Sequence, residues 1–388
     1  MSKILFINDH PFYVDKDQNV FTSGTLTSDV WSRFTHNFGD LTVIGRGVKL
    51  DGEFHNHKKA DAENVMFDLF FEIKGGKDYF KHRKKIIEKL TPYIQQAEYI
   101  VLRVPSNIGV IAAGICKKYN KKYFVEVVGC AYDSMWFFGN IQGKLLASVT
   151  AAKNRKAIRG AAAAVYVTER YLQNRYPNSN NQINASNVVI ETFDDFVLNK
   201  HLEYLQMNSE VKQMGMIGNV SLPYKGYEVL FRALKNVKVK YQLQIVGGGD
   251  TKWIKQLIKK FNLEKTVILK GRVNNREEIY EFLDSLDLYL QPSLTEGLPR
   301  SVIEAMARAC PIVASNAGGI PELIPEQFTY NVKDSERLCK LIDHTLSDIN
   351  ILKRMSNENF LRSKEYSFDR INTRRYQFLQ KIKKSIKN

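Results

Sequence analysis

The sequence predicts an α/β chain built from two doubly wound, Rossmann-like parallel-sheet domains, and three observations carry that expectation. From Lys3 onward, short β-rich apolar runs alternate with longer stretches of helical period, the pattern of parallel strands joined by covering helices. The alternation lapses over residues 195–210 and then restarts. The 388 residues are enough to give each half its own core.

In the first series, strands are expected at Lys3–Asn8, Leu41–Ile44, Tyr99–Val104, Tyr123–Val128, Ala163–Val167 and Val188–Glu191. Asp195 to Glu210, with Lys200, His201 and Asn208, lacks a clean apolar period and reads as the domain connection. The second series places strands at Gln213–Ile217, Gln242–Val246, Val267–Lys270, Leu286–Gln291 and Pro311–Ala314. Its helices fall near 225–236, 251–261, 276–284, 299–309 and 335–347. The tail from Asp369 reads as a basic helix with Lys381, Lys383, Lys384 and Lys387. Doubly wound sheets take ligands beyond the carboxyl ends of their strands, so two facing sheets would enclose a cleft with one substrate on each side.

Composition narrows the function. With 44% hydrophobic and 25% charged residues, wholesale disorder is excluded. Cys116, Cys130, Cys310 and Cys339 are far apart and form no C-x-x-C pair, so no zinc ribbon or disulfide framework is indicated and a reducing cytoplasm is expected. The apolar run after Met1 lacks the longer apolar region of a signal peptide, and no run approaches the ~18 apolar residues of a spanning helix. The net charge of +16 calls for a negative partner: nucleic acid, anionic lipid or a phosphorylated small molecule.

The most informative stretch runs from Gln291 to Ala307, after an apolar strand and into a helix. Pro299 occupies the expected first helical position, where a missing N–H is harmless. Backbone amides around Gly297, Leu298, Pro299 and Ser301 would then face a phosphate at the positive end of the helix dipole. Glu296 lies on the loop and Glu304 a turn and a half into the helix. Two carboxylates beside a diphosphate would repel it, so their targets should be sugar hydroxyls. Gly247-Gly248-Gly249 and Gly318-Gly319 could equally serve tight turns or ligand approach.

These residues resemble the retaining, nucleotide-sugar-dependent glycosyltransferases of family four, which have the GT-B fold. Their signature, two glutamates separated by seven residues after Pro-Ser and before Ala-Met, is matched by Pro292-Ser293, Glu296, Glu304 and Ala305-Met306. Lys225-Gly226, Gly247-Gly248-Gly249, Gly271-Arg272-Val273 and Gly318-Gly319-Ile320-Pro321-Glu322 follow in family order, so the resemblance is strong over residues 211–325 and weaker before 200. It implies an acceptor-binding domain at 1–200, a donor-binding domain at 201–368 and a C-terminal helix, 369–388, packing back toward the first domain. It assigns Glu296 to the donor-sugar hydroxyls, Lys225 to the diphosphate and Glu304 to the ribose. Asn219, Gly249, Arg272, Val273, Gly297, Leu298, Pro299 and Ser301 complete the implied donor site. Two departures stand out. Gly218-Asn219 replaces the usual Gly-Arg, and Val128 to Asp133 lacks the usual histidine. Asp133 and Glu126 are weak substitutes for it, and His10, which follows the first strand at its carboxyl end, is an acceptor-side candidate for which a structural role is the plainer reading.

The resemblance further implies a UDP-sugar more than a GDP-sugar as donor, with no cofactor and no metal, since preorganised donors can stabilise the leaving diphosphate. It implies a saccharide acceptor, lipid-linked, in assembly of a capsule- or O-antigen-like surface polysaccharide. Anionic membrane would then be a partner of the basic run Lys81–Leu90, extended by Lys144, Lys153, Arg155, Lys156 and Arg159 beside Met135-Trp136-Phe137-Phe138. A merely solvated basic face is the plainer reading of that run. Asp15-Lys16-Asp17 and His55-Asn56-His57 read as polar loops rather than metal sites. Two rivals are kept: a nucleotide-sugar epimerase of the same architecture, and a basic nucleic-acid-binding protein. The second lacks zinc-finger, RRM and basic-zipper signatures, so no nucleic acid is expected.

Overall fold

The structure, a computed structural model, describes residues 3–50, 57–137, 141–188, 190–191, 193–207, 209–273 and 275–387. The chain divides into two compact units. The first comprises Met1–Ala131, Ser148–Ala185 and Asn372–Asn388, and the second Tyr132–Ala147 and Ser186–Ile371.

The first unit holds β1 (Ile4–Val14), β2 (Val20–Thr22), β3 (Leu41–Lys49), β4 (Lys58–Lys59), β5 (Val65–Phe70), β6 (Tyr99–Val104), β7 (Phe124–Val127), β8 (Ala163–Tyr166) and β9 (Asn181–Asn184). The parallel order is β5-β3-β1-β6-β7-β8-β9, with β2 and β4 added antiparallel along the far end of β1. All four residues of β7 and of β8 are buried, as befits strands covered on both faces. Trp31, from the helix Ser28–Phe38, packs edge-on against Phe6 at 5.3 Å while its indole N–H donates to the Ala60 carbonyl at 2.7 Å. That bond satisfies the polar edge of a fully buried ring.

The second unit holds β10 (Lys212–Ile217), β11 (Tyr241–Val246), β12 (Val267–Gly271), β13 (Leu288–Gln291), β14 (Ile312–Ser315) and β15 (Thr329–Tyr330). They form one parallel sheet in the order β12-β11-β10-β13-β14-β15. The strand order reverses between β10 and β13. Loops leaving those two strands splay apart and leave the crevice where such sheets bind ligands.

Several expectations are corrected. The first strand does not stop at Asn8 but runs to Val14, with a register shift between Ile7 and Pro11. The Asn8 Oδ1 accepts the His10 N–H at 2.5 Å within that irregularity, so the polar triplet interrupts the pairing without ending it. A strand at Val188–Glu191 is reduced to a single bridge between Ile190 and Ser367, Val189 lying outside the described residues. The sheet ends instead in β9, a polar edge strand invisible to an apolar pattern. The supposed connection is the helix Asp195–Gln206, capped by the Asp194 carboxylate on the Phe196 N–H at 2.8 Å. It buries only His201 and Leu205, too few to make a clear stripe. The chain therefore passes between units at Ala185, not near 200, and Tyr132–Ala147 falls with the second unit despite its place in the sequence. The final helix runs Phe368–Lys387 and belongs to the first unit from Asn372.

Candidate active site

The loops after β10 and β13 meet at the crevice of the second sheet. Lys225 ends a short 3₁₀ turn, Pro223–Lys225, before the helix Tyr227–Leu234. Its Nζ donates to Glu296 Oε1 at 2.7 Å, with both side chains only slightly exposed. Glu296 Oε1 also accepts from Ser293 Oγ at 2.8 Å and Gln291 Nε2 at 3.0 Å. Gln291 is fully buried and oriented by its other end, where Oε1 accepts from the Tyr289 hydroxyl at 2.9 Å and Ser301 Oγ at 3.2 Å. Three donors thus fix one carboxylate oxygen. Among the described residues none hydrogen bonds to Oε2.

Backbone close approach sets the loops. Gly318, at φ +58°, lies against the Glu296 carbonyl, which a Cβ would meet at 1.8 Å. The neighbouring Gly319 N–H donates to the Gly297 carbonyl at 2.9 Å. Gly249, at φ +126°, leaves no room for a Cβ beside Ser221 Oγ and Asn219 Oδ1. Chain packing alone already requires glycine at both positions.

Other expected residues fall as follows. Pro299 is not the first helical residue but the cap of the helix Arg300–Ala307, at φ −72° and ψ 122°. A cap keeps extended backbone, so the helical amides begin one residue later. Glu304 is half-buried on that helix, and Arg272 follows β12 as an exposed side chain. Val273 and Leu298 pack against the unit's apolar core. The Asn219 Oδ1 accepts the Ser221 N–H at 2.8 Å, so half of this amide holds its own turn.

The first unit's candidates are different in kind. His10 sits within β1, not after it, with Nε2 2.6 Å from Thr22 Oγ1. Burial, then the charges of Arg103 and Arg46, lower its pKa to about 4. The ring is neutral at pH 7. Glu126 makes no candidate base: both oxygens are held by Arg103 at 2.8 Å, Arg375 at 3.0 Å and Arg33 at 3.3 Å. Burial opposes its charge, yet the three guanidiniums hold its pKa down to about 2. Asp133 is buried on the short helix Ala131–Trp136. His10 and Asp133 fall in different units. Asp15 closes a turn, accepting from the Asp17 and Asn19 N–H groups at 2.9 and 2.8 Å. His55 and Asn56, like Phe138 and Asn208, lie outside the described residues. Among the described residues no group of three or more His, Cys, Asp or Glu could hold a metal, and no helix is long and apolar enough to cross a membrane.

Sequence reading missed Gln291 as the orienter of Glu296, and Asp9. The Asp9 carboxylate takes the Asn107 and Ile108 N–H groups at 2.6 and 2.9 Å and so caps the helix Asn107–Lys118. Gln291 had a signal, being the one polar residue that ends the buried strand Leu288–Gln291.

The profile of the family described as Glycosyl transferases group 1 matches residues 200–362. Protein CapJ of Staphylococcus aureus is 35% identical over 393 residues, spanning 99% of this chain and 96% of CapJ. The O-antigen biosynthesis glycosyltransferase WbnH of Escherichia coli is 35% identical over 138 residues, 32% of this chain and 38% of WbnH. The crystal structure of Anabaena HepE in complex with UDP-glucose superposes with a TM-score of 0.66 at 16% identity, covering 98% of this chain and 100% of HepE.

Proposed function

This chain belongs to the glycosyl transferases group 1 family, has the GT-B fold, and from that premise we propose that it is a retaining, metal-independent glycosyltransferase using a UDP-sugar. The acceptor is a lipid-linked saccharide of a bacterial-type surface polysaccharide. Support comes from O-antigen assembly by WbnH and from UDP-glucose bound to HepE.

The observation that carries the reading is the Lys225–Glu296 pair at the sheet's crossover point. Lys225 brings a positive charge to the place where the leaving diphosphate gains negative charge. Glu296, held through Oε1, turns its second oxygen to the sugar hydroxyls, and Glu304 takes the ribose. The bond from the anomeric carbon to the diphosphate oxygen breaks as the acceptor oxygen bonds to the same face. That diphosphate oxygen receives the acceptor's proton, so no protein base is needed. Arg272 and Asn219 Nδ2 add donors around the diphosphate.

Thermal unfolding with UDP, GDP and ADP, each with and without magnesium, tests the donor site. Ligand at a hundred times its Kd should stabilise by about 2.7 kcal/mol. A shift with UDP that ignores magnesium and shrinks in Glu304→Ala is expected. No shift with any nucleotide would defeat the assignment. NMR of the product's anomeric configuration tests retention, and UDP-sugar turnover without acceptor would favour the epimerase.

A further inference from the structure

Within the first unit, the helices Gly76–Lys81, Arg83–Gln96 and Asn107–Lys118 and the last turns of Ile141–Arg159 wall a groove of about 970 Å³. Its floor is aliphatic, from Val110, Ile111 and Ala113, and Phe80 stands at its side with 68% of its surface exposed. Seven Lys and Arg side chains line it and no Asp or Glu does. Arg83, Lys117, Lys153, Lys156 and Arg159 form no ion pair among the described residues. Lys153 Nζ instead lies 5.8 Å over the Phe80 ring.

The basic run that the sequence offered for membrane attachment behaves otherwise. Lys84 pairs with Glu88 at 3.8 Å, Lys85 with Glu72 at 2.8 Å and Lys89 with Asp68 at 2.5 Å. Three of its cations thus have acidic partners, and Arg83 is the member that joins the groove. Cations crowded around a concave apolar floor repel one another and call for an anion. The floor and the bare phenyl ring also call for something apolar. A phosphate head group with its glyceryl and upper acyl chain supplies both, whereas a free inorganic anion leaves the floor and Phe80 uncovered.

We propose that this groove, rather than the Lys81–Leu90 run, docks the phosphate head group of an anionic bilayer lipid and holds the first unit at a membrane surface. The inference rests on the lipid-linked acceptor reading for its choice of ligand. Its test is binding, so it can fail while the UDP result stands, and the reverse.

The full chain is sedimented with vesicles of phosphatidylcholine alone and of an equal mixture with phosphatidylglycerol. Each basic residue at such a surface contributes about a factor of five. Lys153→Glu/Lys156→Glu/Arg159→Glu should lower binding to the mixed vesicles at least tenfold, Phe80→Ser severalfold, and Lys84→Glu/Lys85→Glu about twofold or less. If the triple reversal fails to fold by circular dichroism, Lys153→Gln/Lys156→Gln should still lower binding about twentyfold. Equal binding of the native chain to both vesicle types overturns the proposal, as does equal loss in the groove and run variants. Full competition by soluble glycerol phosphate would make it a free-anion site, and tighter binding of single-stranded RNA at the same salt a nucleic-acid site; either overturns it.

Discussion

Two glutamates, one in each unit, show how the same side chain is used for opposite ends. Glu126 is buried, with both oxygens taken by arginines from three separated stretches of chain, Arg33, Arg103 and Arg375. Glu296 is slightly exposed, and its donors come to one oxygen from Gln291, Ser293 and Lys225. Saturation of both oxygens in a dry setting makes a joint; fixing one oxygen and sparing the other keeps acceptor capacity in hand. The first should be read in stability, the second in rate.

The widest break in that contrast would come from Glu126→Gln. Removing the one anion among three buried guanidiniums is expected to cost about 3–5 kcal/mol in chemical denaturation, and a loss below 1 kcal/mol would make the cluster dispensable. Because the Glu126 pKa is lowered, its contribution is complete above pH 4.5 and disappears as pH falls toward 2. Next, Glu296→Gln keeps an acceptor for Lys225 but no charge. Its kcat should fall about 10²–10³-fold, and because the amide keeps an acceptor for Lys225 the stability loss should stay below that of Glu126→Gln. Unchanged turnover would remove Glu296 from the chemistry.

A smaller effect concerns His201, whose ring nitrogens are both buried without a partner near the Arg308–Asp284 pair. Burial lowers its pKa to about 4, so the folded chain holds it neutral while the unfolded chain takes a proton below 6.5. Stability should be full above pH 6.5 and decline by about 2–3 kcal/mol by pH 4.5 from this group. His201→Leu should flatten that decline; His10, shifted the same way, keeps the rest. An unaltered pH profile in the variant would refute the account. Smallest of all, Asn219→Ala loses one turn-closing bond and is expected to cost about 1 kcal/mol in denaturation. A larger loss of UDP affinity than of stability would show Asn219 acting on the ligand.

The second unit was legible because its motif is local. Pro292, Ser293, Glu296 and Glu304 sit within thirteen residues, and a strand followed by a helix fixes where they point. What escaped there was fine geometry: Pro299 as cap, the Asn219 turn, and Gln291 behind Glu296. The first unit hid its logic in separation. Nothing in the spacing of Arg33, Arg103, Glu126 and Arg375 marks a cluster, since parallel strands and a returning helix bring them together. Its edge strand Asn181–Asn184 is polar, and its basic run carries acids from elsewhere as partners, facts that no period or count reveals.

That the final helix, beyond its first turn, completes the first unit has a consequence for synthesis. A ribosome delivers Ala185, then makes residues 186–371 before Arg375 exists. At 5–20 residues per second that is about 10–40 s in which Glu126 has two of its three arginines. The domain begun first is finished last, while the one threaded into the middle can close before release. A nascent chain stalled ahead of residue 372 would thus carry a complete second unit and an open first unit.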